Sequence, residues 1–197
     1  MTAIITEKFR QHNATQFFES FSEASATVYY LMIGKAMPFT SGTSGGSDDS
    51  PPTPADDISS EFYTWDSSIA AKKITTSNIT KVIPRRDWAN STTFDMYEDN
   101  ISSSNTTTSG ATNLYDSTFF FKTSDNRVYM VLDNNGGVAY SGAEPTSEST
   151  SSFVLGGYTL KFLYTITASQ QATFTTTDFM PVSTDSTISA AATDGAI

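Results

Sequence analysis

The chain has 197 residues, enough for one substantial core or two small ones, and its formal net charge at pH 7 is −10. That charge argues against nucleic acid as a partner, because affinity for a phosphate backbone comes mainly from Lys and Arg. Cysteine is absent, which removes disulfides, thiolate nucleophiles and cysteine metal sites together.

No membrane segment is expected from the sequence. The N-terminus lacks the basic region and apolar stretch of a signal peptide, and no run approaches the ~20 apolar residues of a membrane span. We therefore expect a soluble protein made in a cytoplasm, with no membrane partner. Ser and Thr are abundant and charged residues make up only 16%, so hydroxyl groups are expected to cover much of the surface.

The first half of the chain predicts two helices with a strand between them. Apolar side chains recur at helical spacing over residues 13–25. Residues 27–33 are β-branched, aromatic and aliphatic, which predicts a buried strand. The Gly, Ser and Pro of residues 38–57 predict a long surface loop. A second amphipathic helix is expected to begin at Asp56-Asp57 and to end at Lys72-Lys73, since these charges suit the helix dipole.

The second half predicts short strands separated by polar loops. Residues 90–117 are expected to form a mobile excursion, residues 140–152 a second polar loop, and residues 168–172 one helical turn. Apolar, β-branched runs predict strands over 79–84, 118–122, 127–133 and 158–166. The four residues 123–126 between two of these runs predict a hairpin turn.

The sequence offers no constellation for catalysis. His12 is the only histidine, and its place just before the first expected helix favours a solvent-exposed side chain over a catalytic base. Asp133, Asn134 and Asn135 carry oxygen atoms that suit a hard cation, but the two glycines that follow favour a tight turn. We therefore predict no catalytic residue, no cofactor and no metal site.

One segment has the composition of a protein interface: Pro84, Arg85, Arg86, Asp87 and Trp88. It ends a predicted strand with a rigid proline and then presents two guanidinium groups, a carboxylate and an indole. Arg and Trp are frequent at binding hot spots. The alternative is an internal clip, in which Asp87 pairs with an Arg while Trp88 packs on the core. The sequence leaves both interpretations open.

This segment resembles the dimeric baseplate wedge protein of T-even-type contractile-tailed phages, where the stretch Val82–Trp88 is most distinctive. Other blocks follow in the order of that family, which makes the resemblance more specific than any single block. These blocks are Ile4–Arg10, Val28–Lys35, the helix that carries Trp65, Val128–Asp133, Gly157–Ile166 and Asp178–Val182.

The resemblance implies a mainly β chain: a layered β-sandwich with two short helices in loops and long polar excursions. It covers residues 1–182 as one wedge-like domain, and residues 183–197 are expected to be a flexible tail or a link to a C-terminal part. It further implies a non-enzymatic structural subunit located in the tail baseplate of the virion and assembled in the host cytoplasm. The implied partners are other wedge and tail-fibre proteins, with a homodimer expected.

A second function class is compatible with the same residues. A hydroxyl-rich β-protein with aromatic side chains and long loops also suits a receptor-binding or tail-fibre attachment module. Binding to host glycans would distinguish this alternative from the wedge subunit.

Overall fold

The computed structural model describes residues 7–34, 47, 49–50, 53, 65 and 68–183. The chain divides into two compact units, with the boundary between Thr80 and Lys81 in the sequence. The described residues form three small antiparallel sheets and two α-helices whose full bounds are defined. The predicted mainly β fold class is confirmed, whereas a single domain over residues 1–182 stays a prediction.

The first unit contains one helix and one two-stranded sheet. Helix α1 covers Glu7–Glu19. Strand β1, Tyr29–Ile33, pairs antiparallel with strand β2, Ala70–Ile74. A 3-10 turn, Thr76–Asn78, follows the second strand.

Helix α1 lies earlier in the chain than its apolar spacing predicted. It ends at Glu19, where the hydroxyl of the following Ser20 donates to the carbonyl oxygen of Phe17 at 2.7 Å. Such local bonds compete with continuation of a helix. Phe21, expected on the helix, instead lies after it and is 8% exposed. Its ring packs on those of Phe17 and Tyr29, with centroids 5.2 and 4.6 Å away.

Two predictions for the β1–β2 sheet are wrong. Strand β1 was expected to be buried, yet Tyr30 and Leu31 are exposed, because a two-stranded sheet leaves much of its surface uncovered. The second helix was expected to end at Lys72-Lys73, yet both lysines lie in β2. They pair with Leu31 and Tyr30, a long-range pairing that helical spacing does not reveal.

Most of the second predicted helix lies outside the described residues, as does most of the predicted loop over 38–57. Of the helix body, Trp65 is described, and it has helical geometry and an exposed side chain. The predicted tail over 183–197 likewise lies outside the described residues, apart from residue 183.

The second unit is organised around a four-stranded antiparallel sheet in the order β4-β5-β7-β6. Its outer strand β4 covers Phe120–Lys122 and its central strand β5 covers Arg127–Asp133. On the other side, β6 covers Phe153–Leu155 and β7 covers Tyr158–Thr165. Three predicted strands and the hairpin turn between β4 and β5 are thereby confirmed.

A second, two-stranded sheet completes this unit. Strand β3, Val82–Pro84, pairs antiparallel with strand β8, Phe179–Pro181. We call this sheet the β3–β8 ribbon. Helix α2, Ala168–Phe174, precedes β8 and is capped by Thr167, whose side chain accepts the N–H of Gln170. The predicted helical turn in this region is confirmed.

Two apolar clusters form the core of the second unit. The first cluster is aromatic and lies on the four-stranded sheet, with Phe94, Phe121, Tyr129, Val131, Tyr140, Tyr158 and Leu160 as its buried members. The second cluster joins that sheet to the ribbon, through Phe120, Val128, Ile166 and Met180. The fully buried tyrosines donate to backbone carbonyls, so their hydroxyls do not remain unsatisfied. Tyr129, Tyr140 and Tyr158 donate to Ser147, Ala143 and Val138 respectively.

The polar stretch over residues 90–117, predicted to be a mobile excursion, is held in place by hydrogen bonds to a buried carboxylate. Asp95 is fully buried and accepts hydrogen bonds from the backbone N–H groups of Ser109 and Thr118, at 2.7 and 2.8 Å. The hydroxyls of Ser109 and Ser117 also donate to it. Four hydrogen bonds to one buried acceptor hold the loop against the sheet.

Candidate protein interface

The segment predicted as an interface, Pro84–Trp88, runs from the end of the ribbon to the edge of the four-stranded sheet. The N–H of Arg85 donates to the carbonyl oxygen of Asp178, beside β8, at 2.8 Å. Three residues further on, the N–H of Trp88 donates to the carbonyl oxygen of Lys122 in β4, also at 2.8 Å. The segment therefore covers the outer edge of β4 and links the two sheets.

Arg85 and Asp87 form an ion pair at the surface of this link. The Arg85 Nε donates to both oxygens of the Asp87 carboxylate, at 3.0 and 2.9 Å, and Nη2 lies 2.8 Å from Oδ2. Arg85 Nη1 also donates to the carbonyl oxygen of Thr176 at 3.0 Å. The hydrogen bonding between Arg85 and Asp87 raises the pKa of Arg85 above its ordinary value. The guanidinium is thus fixed in one orientation between two parts of the chain.

A buried lysine contributes to the same cluster. Lys122 is 6% exposed, and its Nζ lies 3.6 Å from Asp87 Oδ1 while donating to Thr123 O and Asn126 Oδ1. Partial burial acts to raise the pKa of Asp87, but the hydrogen bond from Arg85 and the charge of Lys122 outweigh it and lower the pKa. Asp87 therefore stays ionised between two cations.

Arg86 and Trp88 point towards the interior of the unit. Arg86 Nη2 donates to the carbonyl oxygens of Tyr115 and Asp116, at 3.3 and 3.0 Å, at the end of the polar loop. The Trp88 indole is partly buried and packs on the first core cluster, edge to face with Tyr140. Arg86 Nε and Trp88 Nε1 are buried and have no hydrogen-bond partner among the described residues.

The sequence left two interpretations of this segment open, an interface and an internal clip. The contacts described here are those of the internal clip. The clip is formed by Arg85 with Asp87 and by Trp88 on the core, as that interpretation predicted. An internal clip does not exclude a surface role for Pro84, Arg85 and Asp87. The interface function of the segment stays a prediction, and the contacts of Arg86 and Trp88 described above are internal to the unit.

Two apolar residues of the ribbon, Val82 and Phe179, also belong to this surface. They were not predicted as interface residues from the sequence. Successive residues of a strand point to opposite faces, and Ile83 and Met180 pack in the second core cluster. Val82, Pro84 and Phe179 therefore lie on the opposite face, where Val82 is 45% and Phe179 40% exposed. We call this face the outer ribbon face. The alternation of β3 and β8 contains the signal, but it becomes informative only when the two strands are paired.

Comparison with known proteins identifies the family of the chain. The family model described as "Bacteriophage T4, Gp8" matches residues 3–135, about two thirds of the chain. The chain belongs to this Gp8 family. The match contains the segment Pro84–Trp88 and ends in the turn that follows β5. The resemblance to a phage baseplate wedge family is thereby confirmed at the level of the family, whereas the dimer stays a prediction.

A related protein supports the same assignment. The baseplate wedge protein gp8 of Enterobacteria phage T4 is 29% identical to this chain over 96 residues, which are 48% of this chain and 28% of that protein. The matched part of this chain thus spans little more than a quarter of the length of its Gp8 relative.

The remaining predictions for sites in this Gp8-family chain concern catalysis and metals. His12 is exposed and lies inside helix α1, not just before the helix as predicted. The residues Asn135–Gly137 form a 3-10 turn, in which Asn134 Oδ1 accepts the N–H of Gly137 at 3.1 Å. This confirms the tight turn. Within the described parts of the chain, no group of three or more His, Cys, Asp or Glu side chains could hold a metal ion.

No helix among the described residues is long and apolar enough to cross a bilayer.

Proposed function

We propose that this chain is a structural subunit of a phage tail baseplate wedge and acts through contacts with other proteins. The observation that carries the proposal is membership of the Gp8 family over residues 3–135, together with a relative named as a baseplate wedge protein. On this proposal the chain contributes surface and rigidity during tail assembly and host attachment, and it catalyses no reaction. Its location is the tail baseplate of the virion, assembled in the host cytoplasm.

The proposed contact surface combines the outer ribbon face with the Arg85–Asp87 pair. Interfaces typically join an apolar centre to a polar rim with fixed hydrogen-bonding groups. Val82 and Phe179 supply exposed apolar area, and the adjacent ion pair supplies an oriented guanidinium and carboxylate. The clip beneath stabilises this arrangement, so little conformational entropy is lost when a neighbour binds.

The proposed partners are other wedge and tail-fibre proteins, with a second copy of this chain as one of them. The relative is much longer than the matched part. As the resemblance of the sequence implies, the proposal takes the chain to correspond to the N-terminal part of a wedge subunit.

The test is co-expression of the full chain with the baseplate proteins of the same phage, followed by size-exclusion chromatography with light scattering. The proposal predicts that the chain elutes in a complex with at least one of these proteins. Elution of the chain by itself from every such mixture would contradict it. If the chain alone bound host glycans on an array, the receptor-binding function would replace the wedge function.

A further inference from the structure

A small cleft in the second unit lies beside the 3-10 turn Asn135–Gly137. Its volume is about 130 Å³, and it is lined by Met96, Glu98, Asn134 and the run Asn105–Thr108. We call it the Glu98 cleft. Apart from Met96, these residues present carboxylate, amide and hydroxyl groups, so the cleft suits the polar end of a ligand.

The wall of the cleft is preformed. Asn134 is 4% exposed, and its Nδ2 donates to Phe94 O at 3.0 Å and to Thr108 Oγ1 at 3.2 Å. Its Oδ1 accepts the N–H of Gly137. Every polar atom of this side chain is therefore engaged in holding the wall, and the cleft needs no rearrangement to receive a group.

Glu98 carries the charge of the cleft, and most of the acceptor capacity of its carboxylate is unused. Asn105 uses Nδ2 to reach Asn100 Oδ1 at 3.0 Å and Glu98 Oε2 at 3.4 Å. Among the described residues, this long contact is the one hydrogen bond that reaches the Glu98 carboxylate, and no ion pair reaches it. An ionised carboxylate offers about four lone-pair sites and no donor. The cleft thus has unused acceptors and a negative charge.

We propose that the Glu98 cleft receives the cationic end of a lysine or arginine side chain from a neighbouring protein. An ammonium or guanidinium supplies hydrogen-bond donors to the Glu98 carboxylate together with the opposite charge, while Met96 offers an apolar wall to the aliphatic stem. This inference rests on the proposed function, which provides the neighbouring protein.

Other ligand classes fit the cleft less well. An anion would meet the Glu98 carboxylate in a chain of net charge −10. A calcium ion takes six to eight oxygen ligands, usually with several carboxylates, and Glu98 is the one carboxylate in the lining. A large apolar ligand exceeds the volume of about 130 Å³ and would leave the amides and hydroxyls unpaired.

The test uses the full chain with ¹³C-methyl methionine and follows the methyl resonances by NMR. The chain has six methionines, and Met96→Leu assigns the resonance in the cleft. Methylguanidinium and n-butylammonium are titrated separately as stand-ins for the two side chains. We expect a saturable shift of the Met96 methyl that is weakened about tenfold or more by Glu98→Gln, since a hydrogen bond to a charged group is lost.

Asp99→Asn is the matched control, because it removes the same charge at the next residue, outside the lining of the cleft. The proposal predicts that Asp99→Asn binds both probes as tightly as the unmodified chain does. The probe that binds more tightly shows whether the cleft prefers an arginine or a lysine side chain. A Met96 shift that Glu98→Gln leaves unchanged, no shift with either probe, or a shift with calcium chloride at lower concentrations than with both probes would each overturn it. The assay contains no other baseplate protein, so its failure leaves the co-expression test of the wedge function standing.

Discussion

The indole of Trp88 meets the ring of Tyr140 edge to face, with centroids 5.8 Å apart and planes at 90°. Tyr140 is fully buried, and its hydroxyl donates to the carbonyl oxygen of Ala143 at 2.8 Å. The last residue of the predicted interface segment is therefore anchored in the core of the same chain. Its substitution should change stability as well as any contact with a partner.

Trp88→Ala should lower the free energy of unfolding by about 2–4 kcal/mol, because it removes a large, partly buried ring from the first core cluster. Trp88→Phe should cost less, since it keeps an aromatic ring near Tyr140 and removes an indole N–H that has no partner among the described residues. Urea unfolding followed by far-UV circular dichroism measures both. Equal unfolding midpoints for Trp88→Ala and the unmodified chain would show that the ring is not anchored.

Substitutions at Gly156 and Gly136 can be compared to test how closely Tyr140 is packed. Both have positive φ, +62° and +68°. An added Cβ at Gly156 would lie 2.5 Å from Tyr140 Cζ, whereas at Gly136 nothing lies within 4 Å. Gly136→Ala should therefore cost about 1–2 kcal/mol through backbone strain alone, and Gly156→Ala about 1–3 kcal/mol more through the clash. Thermal unfolding compares them, and similar losses would contradict the packing described for Tyr140.

Asp95 should make the second unit sensitive to acid. Burial acts to raise the pKa of Asp95, but the hydrogen bonds from Ser109 and Thr118 outweigh it and hold the pKa below its ordinary value. A lowered pKa in the folded state adds stability above the unfolded pKa of ~3.9, and that stability is lost as the pH falls further. Asp95→Asn should destabilise the chain at pH 7 by about 2 kcal/mol or more.

The measurement is the free energy of unfolding of both chains between pH 2.5 and 7, a range chosen to bracket the ~3.9 of an unfolded Asp. The difference between the unmodified chain and Asp95→Asn should shrink below about pH 4. A difference that stays constant over the whole range would exclude the buried carboxylate as its source.

The fully buried Tyr140 and the partly buried Tyr164 should ionise only at high pH. Burial raises the pKa of Tyr140 and of Tyr164 to about 12. A raised pKa in the folded state gives stability that is full below the unfolded value of ~10 and is lost as the pH rises through about 12. Absorbance at the phenolate band, ~295 nm, follows the nine tyrosines of the chain. Tyr164→Phe should reduce the late phase of this titration, and an unchanged late phase would contradict its burial.

The sequence predicts local elements of this fold better than long-range ones. Strand β5 and the hairpin before it were predictable, because their β-branched and aromatic residues alternate with a polar turn at the right spacing. Strand β2 was not, since Ala70–Ile74 carries two lysines and becomes a strand only by pairing with β1. Tertiary pairing overrides local preference in such short segments.

The candidate interface was predictable in composition but not in orientation. The residue types in Pro84–Trp88 indicated both a hot spot and an internal clip, and only the fold shows that Arg86 and Trp88 point inward. Asp95 carried no sequence signal, because its four donors come from three residues that are 14 to 23 positions away. Contacts of that range are set by topology and not by spacing along the chain.

The most direct test of the proposed contact surface is binding of the full chain to a baseplate protein with which it forms a complex, after the outer ribbon face is changed. Val82→Ser with Phe179→Ser removes exposed apolar area there, and Val154→Ser with Val138→Ser is the matched control at exposed residues elsewhere in the same unit. Sedimentation or size-exclusion of the mixture should show a complex with the control variant and about tenfold or weaker binding with the ribbon variant. Equal binding by the two variants would contradict the proposal that the outer ribbon face is part of the contact surface.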